Sequence, residues 1–115
     1  MNERRLSARI VESLPFKIGH GRYDIEARTV NIGINGALCL ADKSIPAMTQ
    51  LKVGLTLPGN PKAKLKERVI NTKGVVVRNE PQPAAGKFLI AIFFSELSPR
   101  DQKALEAFIQ NRLKI

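Results

Sequence analysis

Acidic residues are scarce in this chain: 10 Asp and Glu stand against 19 Lys and Arg, leaving a formal net charge of +9. That excess favours an anionic partner, whether nucleic acid, nucleotide, acidic protein or membrane surface. The bland counterpart is a solvated basic surface. Cysteine is scarcer still. One thiol, Cys39, rules out an internal disulfide and cannot alone build a structural zinc site. It falls in an apolar strand pattern and reads as inert core. Long hydrophobic runs are missing, since no stretch approaches the ~20 apolar residues of a membrane span. The N-terminus is charged where a secretory signal would be apolar, so the cytoplasm is the expected address. Aromatic residues make up 5% of the chain and tryptophan is absent, which disfavours a surface that stacks single-stranded nucleic acid. Asp24 and Glu26 face the same way on a strand pattern, yet no nucleophile, metal-ligand cluster or phosphate loop accompanies them. No enzymatic activity, metal or cofactor is expected.

What is present has the composition of one globular domain spanning residues 1–115, with 43% hydrophobic and 25% charged residues. Residues 1–12 carry Glu3, Arg4, Arg5, Arg9 and Glu12 among few apolar side chains and read as a flexible, exposed arm. Leu14 to Ile18 reads as a first strand with Pro15 at its edge or start. Gly19-His20-Gly21 then turns the chain. Arg22 to Val30 alternates Tyr23, Ile25 and Ala27 against Arg22, Asp24, Glu26 and Arg28, the period of a half-buried strand. Ala37 to Leu40, Leu51 to Leu57 and Leu65 to Arg78 follow as strands, and Gly74 marks a bulge or bend in the last. Glu80 to Gly86 is a loop by composition. Lys87 to Phe94 is apolar on both faces, which predicts cover on both sides of the sheet. Ser98-Pro99-Arg100-Asp101 opens a helix with Ser98 as N-cap, and Leu105, Phe108, Ile109 and Leu113 share its apolar face. That helix, residues 98–113, is expected to cover one side or the open end of the sheet structure. The pattern predicts an all-β fold with a C-terminal helix: a small six-stranded antiparallel β-barrel over residues 13–95, with a sandwich left open by pattern alone.

Two segments stand out for chemistry. Between Thr29 and Leu40, two β-prone runs flank a turn holding Asn31, Gly33, Asn35 and Gly36, residue types that tolerate φ > 0. The two glycines leave bare backbone that a ligand could approach closely. The other segment is the arginine cluster Arg4, Arg5 and Arg9.

Together these segments resemble the PilZ domain family, bacterial receptors for the second messenger cyclic di-GMP. The family's RxxxR motif matches Arg5-Leu6-Ser7-Ala8-Arg9, with Arg4 extending it to RRxxxR. Its [D/N]xSxxG motif matches Asn31-Ile32-Gly33-Ile34-Asn35-Gly36 at the first and last positions, with Gly33 where the family has serine. The Gly74 to Arg78 run, the strand ending near Phe94 and Leu97-Ser98 leading into a helix are similar to the family's tail. The resemblance implies a site of Arg4, Arg5, Arg9, Asn31, Gly33 and Gly36, taking the ligand singly or as two stacked molecules. The residue types suit that ligand. A guanidinium forks onto phosphate or guanine acceptors and stacks on a base, and an asparagine both accepts and donates. The missing serine hydroxyl removes one hydrogen bond, about 0.5–1.5 kcal/mol. The implied function is a ligand-dependent switch acting on a downstream protein partner. The alternative is a degenerate member, an interaction adaptor with weak or no ligand binding, for which Gly33 is the best support. A basic barrel for single-stranded nucleic acid is the third class.

Overall fold

The computed structural model describes residues 8–21, 23–64 and 66–113. Among them the chain forms seven strands and one α-helix. The strands are β1 (Arg9–Ile10), β2 (Pro15–His20), β3 (Tyr23–Gly33), β4 (Gly36–Ala41), β5 (Gln50–Leu57), β6 (Arg68–Gln82) and β7 (Lys87–Phe94). The helix is α1 (Pro99–Leu113). Strands pair antiparallel in the order β3-β2-β5-β6-β7-β4, and β4 pairs back onto β3. The result is a closed six-stranded barrel, as the sequence pattern predicts, and closure removes the free strand edges that invite aggregation.

β1 is the extra strand: the base of the arm expected over residues 1–12 is paired into the sheet at Arg9 and Ile10, while residues 1–7 lie outside the described residues. Arg9 pairs with Gly33 and Ile10 with Ile32, on the β3 edge that β2 occupies further back through Pro15 opposite Arg28. Ile10 is buried in the core. Thr29 seals the gap between β1 and β2. Its buried hydroxyl donates to the Glu12 carbonyl and accepts the Leu14 N–H at 2.8 Å, so the polar group costs nothing to bury. Ile10 and an open stretch of β3 suffice to pair the base of this charged arm.

Inward-facing side chains of every barrel strand join one core, including Phe16, Ile18, Ile25, Leu55, Ile70 and Ile90. Helix α1 adds Leu105, Phe108 and Ile109 to that same core and lies against β1, so it closes a barrel end. Its entry follows the sequence signal: the Ser98 hydroxyl accepts the Asp101 N–H at 3.1 Å. Asp101, in the first turn, also pairs with Arg68 of β6 at 2.8 Å. At the other end Arg112 packs over the Phe108 ring and pairs with Glu12 at 2.8 Å. The helix thus reaches the segment that follows Arg9.

Two further expectations change. The Glu80–Gly86 loop is shorter than composition suggests, because β6 stays paired with β7 as far as Gln82 opposite Lys87. A single 3-10 turn, Pro83–Ala85, then reverses the chain, with Gly86 at φ 65. The outer face of β7 is not covered as its two-faced apolar pattern predicts. Phe93 remains 48% exposed, because α1 is spent on the barrel end.

Candidate functional site

Arg9 of the arginine segment and the Asn31–Gly36 turn meet where β1, β3 and β4 join. Along β3 the inward residues are Ile25, Ala27 and Thr29, so strict alternation would turn Asn31 inward as well. A bulge between Thr29 and Asn31 prevents this. Thr29 pairs with Cys39 and Asn31 with Leu38, leaving Val30 as the extra residue. Parity shifts, Ile32 takes the core position, and Asn31 faces outward beside Arg9. The Arg9 Nε donates to Asn31 Oδ1 at 2.7 Å, and Nη2 reaches the Gly36 carbonyl at 3.4 Å.

The two motif glycines serve space rather than dihedral freedom. Neither Gly33 nor Gly36 has a positive φ, so the expectation of φ > 0 in this turn is not met. A Cβ on Gly33 would stand 2.9 Å from Arg9 Nη1 and 3.2 Å from its Cγ, so the Arg9 side chain lies along the bare face of Gly33. A Cβ on Gly36 would stand 2.2 Å from the Ile92 carbonyl oxygen. The clearance at Gly36 is taken by β7, whose Phe93 is its register partner. The Phe94 N–H donates to the Asn35 carbonyl at 2.8 Å and ties the turn to β7.

Arg9, Asn31, Asn35 and Gly36 line one side of an open cleft of ≈ 300 Å³, and Val77, Arg78 and Phe93 line the other. That volume is at the small end for ligand sites. Desolvation by burial in the cleft lowers the Arg9 pKa from its usual value. Arg9 takes part in none of the four ion pairs formed among the described residues. Among the described residues its head group is met by two neutral oxygens and by no carboxylate. Arg4 and Arg5 lie outside the described residues.

A family model for the PilZ domain matches residues 3–111. The chain belongs to the PilZ domain family. Solved structures agree with that membership. The inhibitor of motility MotI/DgrA of Bacillus subtilis superposes with a TM-score of 0.81 at 25% identity, covering 95% of this chain and 51% of that one. This PilZ domain therefore spans about half the length of the Bacillus protein. The PilZ domain of YcgR from Escherichia coli, solved with c-di-GMP, gives 0.64 at 13% identity, covering 94% and 90% of the two chains. The PilZ domain of CeSA from a cellulose-synthesising bacterium gives 0.59 at 13% identity, covering 92% and 98%. No curated protein matches this sequence closely enough to count as a relative.

Sequence reasoning missed the far wall of the cleft. A second bulge, between Val76 and Arg78 of β6, creates it: Val76 pairs with Ile92 and Arg78 with Ala91, leaving Val77 unpaired. The Val76 N–H and C=O bond instead to Thr49 and Met48 on its other side, at 2.9 and 2.6 Å. Before the bulge the even-numbered residues Ile70, Thr72 and Val76 face the core; after it Arg78 is exposed. The available signal was the run Val75-Val76-Val77 ahead of Arg78, which breaks a period of two. Gly74, expected to mark the irregularity, instead makes room for Ile92, whose Cγ2 would lie 2.8 Å from a Cβ there. Larger hollows on the outer face of β2, β5 and β6 hold none of the motif residues and mix Lys17, Lys52 and Lys73 with Asp24 and Glu96. Among the described residues no helix is long and apolar enough to cross a membrane.

Proposed function

We propose that this PilZ domain is a receptor for cyclic di-GMP that works in the cytoplasm as a ligand-dependent switch on a downstream protein. One observation supports the reading most: Arg9, partly desolvated and without a carboxylate partner among the described residues, shares a cleft with Asn31. A guanidinium held by neutral acceptors exchanges them for phosphate or guanine acceptors at little cost, since charge-assisted bonds are about twice as strong. Asn31, released from Arg9, reads a guanine edge. Gly33 gives Arg9 room to move across β3. Gly36 holds the turn close to β7. Arg4 and Arg5 enter through the RRxxxR motif and supply the further positive charge that two phosphates require. Among the described residues the arm pairs with β3 through Arg9 and Ile10, and Glu12 is held by Arg112. Ligand drawn in by the arm would therefore alter the surface beside the C-terminal helix, where a partner could read it.

Calorimetric titration of the wild-type protein with cyclic di-GMP, GTP and a single-stranded oligonucleotide tests the reading. Only cyclic di-GMP should bind tightly. Arg9→Ala and Arg5→Ala should each weaken it roughly ten- to a hundredfold, as loss of a charged donor does. Absence of cyclic di-GMP binding by the folded wild type would overturn the receptor reading and favour the adaptor, for which the missing serine hydroxyl at Gly33 speaks. Three arginines can balance two stacked ligands better than one, so a stoichiometry of two is expected for the wild type and one for Arg4→Leu.

A further inference from the structure

We propose that the apolar ledge formed by Val77 and Phe93 is the seat for one purine base, a subsite that completes the cleft opposite Arg9 and Asn31. The inference rests on the nucleotide reading above and extends it to residues outside both motifs.

Isolated exposed apolar side chains are ordinary on a protein surface. These two are not isolated from the site. Val77 is 54% exposed and Phe93 48%, and both line the same cleft as Arg9. Both are put there by local backbone features. Val77 faces outward next to inward Val76, the β6 bulge leaves it without a partner on β7, and the same bulge turns Arg78 outward after it. Phe93 stands opposite Gly36, whose missing side chain lets the two backbones close. The motif glycine thereby sets the position of the ring. Bulges gather next to functional sites because they re-aim side chains, and the two bulges of this barrel, at Val30 and Val77, aim onto one cleft.

The chemistry of the two walls differs in the way a nucleotide differs along its length. One wall offers a guanidinium and two amide side chains, which suit phosphate and a base edge. The other offers an aromatic ring and a branched aliphatic side chain, which suit the flat apolar face of a base. A cleft of ≈ 300 Å³ holds a base and part of its backbone rather than a whole cyclic dinucleotide. The rest of the ligand stays outside the cleft. Arg78 stands exposed beside the ledge with its charge matched by Glu80 at 3.1 Å.

The test is calorimetry on Phe93→Ala, Phe93→Tyr and Arg9→Ala with cyclic di-GMP and with GMP, at low and high salt. Amide chemical shifts of Val77, Arg78 and Phe93 are followed in the wild type during the same titrations. Phe93→Ala should bind cyclic di-GMP roughly five- to a hundredfold more weakly, the range for losing one base–aromatic stack. That ratio should be the same at both salt concentrations, while the Arg9→Ala ratio should shrink at high salt. Phe93→Tyr keeps the ring and should retain wild-type affinity, and the three amides should shift with GMP as well as with cyclic di-GMP. Undiminished affinity in Phe93→Ala, with Arg9→Ala weakened, would overturn the ledge and leave the receptor reading standing. A wild type that binds neither nucleotide overturns both. Loss of self-association in Phe93→Ala with unchanged nucleotide affinity would also overturn the base seat, showing the ledge to be a contact between copies.

Discussion

Gly36→Ala separates two meanings of one motif glycine. If the residue exists to clear space for a ligand, the ligand-free protein should tolerate a methyl group there. The geometry says otherwise. The added Cβ would stand 2.2 Å from the Ile92 carbonyl oxygen and 3.2 Å from both the Ile92 carbonyl carbon and Phe93 Cα. Carbon–oxygen contacts normally close no nearer than about 3.3 Å, so β4 must retreat from β7 by roughly 1 Å. All three obstacles are backbone and cannot swing aside. Gly36 opens β4, so the retreat can be confined to the Gly36–Phe93 pair and the neighbouring bond from the Phe94 N–H to the Asn35 carbonyl. One or two ladder bonds at about 0.5–1.5 kcal/mol each, added to an overpacking cost of about 1–3 kcal/mol, give a destabilisation of roughly 1.5–6 kcal/mol. For a domain of this size, 1 kcal/mol moves Tm by about 3–6 °C. Thermal and urea denaturation of the ligand-free variant, followed by circular dichroism, should therefore show a Tm lower by at least ~4.5 °C. A variant within about 0.5 kcal/mol of the wild type, the range of an indifferent surface change, would refute the argument from strand spacing.

Gly33→Ser meets a different neighbour and should behave differently. Its closest obstacle is the far end of the Arg9 side chain, the Gly33 φ is not positive, and Ala8 O would lie 3.4 Å away, so folding should change little. With Arg9 displaced from Asn31 and a hydroxyl restored, cyclic di-GMP affinity should rise by up to about tenfold. Weaker binding in a calorimetric titration would count against this account. Cys39 is fully buried, its thiol donates to the Ile90 carbonyl at 3.5 Å, and burial pushes its pKa up from 9.0 to about 12. A thiol reagent at pH 8 should label it only at the rate of unfolding, and fast labelling of native protein would contradict the burial. The folded state also keeps this proton where the unfolded chain loses it. The contribution is complete below about pH 9 and declines as pH rises from 9 towards 12. Urea midpoints of the wild type and Cys39→Ala should accordingly converge over that range, and parallel curves would exclude the linkage.

The barrel was legible because its cause is local. Alternation through Tyr23, Ile25 and Ala27, and through Leu51, Val53, Leu55 and Leu57, needs only a half-buried strand, and the Ser98 cap needs only its own first turn. β7 was found end to end and its environment misread. Alternation records that both faces are apolar, while which face is covered depends on where α1 packs, and α1 packs on the barrel end. The extent of β6 was misjudged for a related reason. Pro81 and Pro83 signal a loop locally, but pairing with the long apolar β7 carries the strand on to Gln82. On the site, the motif residues Arg9, Asn31, Gly33 and Gly36 could be picked out from their match to the family's two motifs. Val77, Arg78 and Phe93 could not, because no local pattern says that a bulge in one strand faces a turn some forty residues earlier.

The residue types settled by themselves that this chain would be a small all-β domain, barrel or sandwich, with a basic N-terminal segment and an Asn–Gly turn, since periodicity and composition act over a few residues at a time. Only tertiary structure decided what those residues are for. The Asn31 side chain points outward because a bulge shifts β3 by one residue. Gly33 is bare because Arg9, 24 positions earlier in sequence, lies across it. Gly36 is bare because a carbonyl of β7 stands where its Cβ would be. In each case the constraint comes from atoms remote in the chain and close in space, and contacts of that kind are set only when the barrel closes.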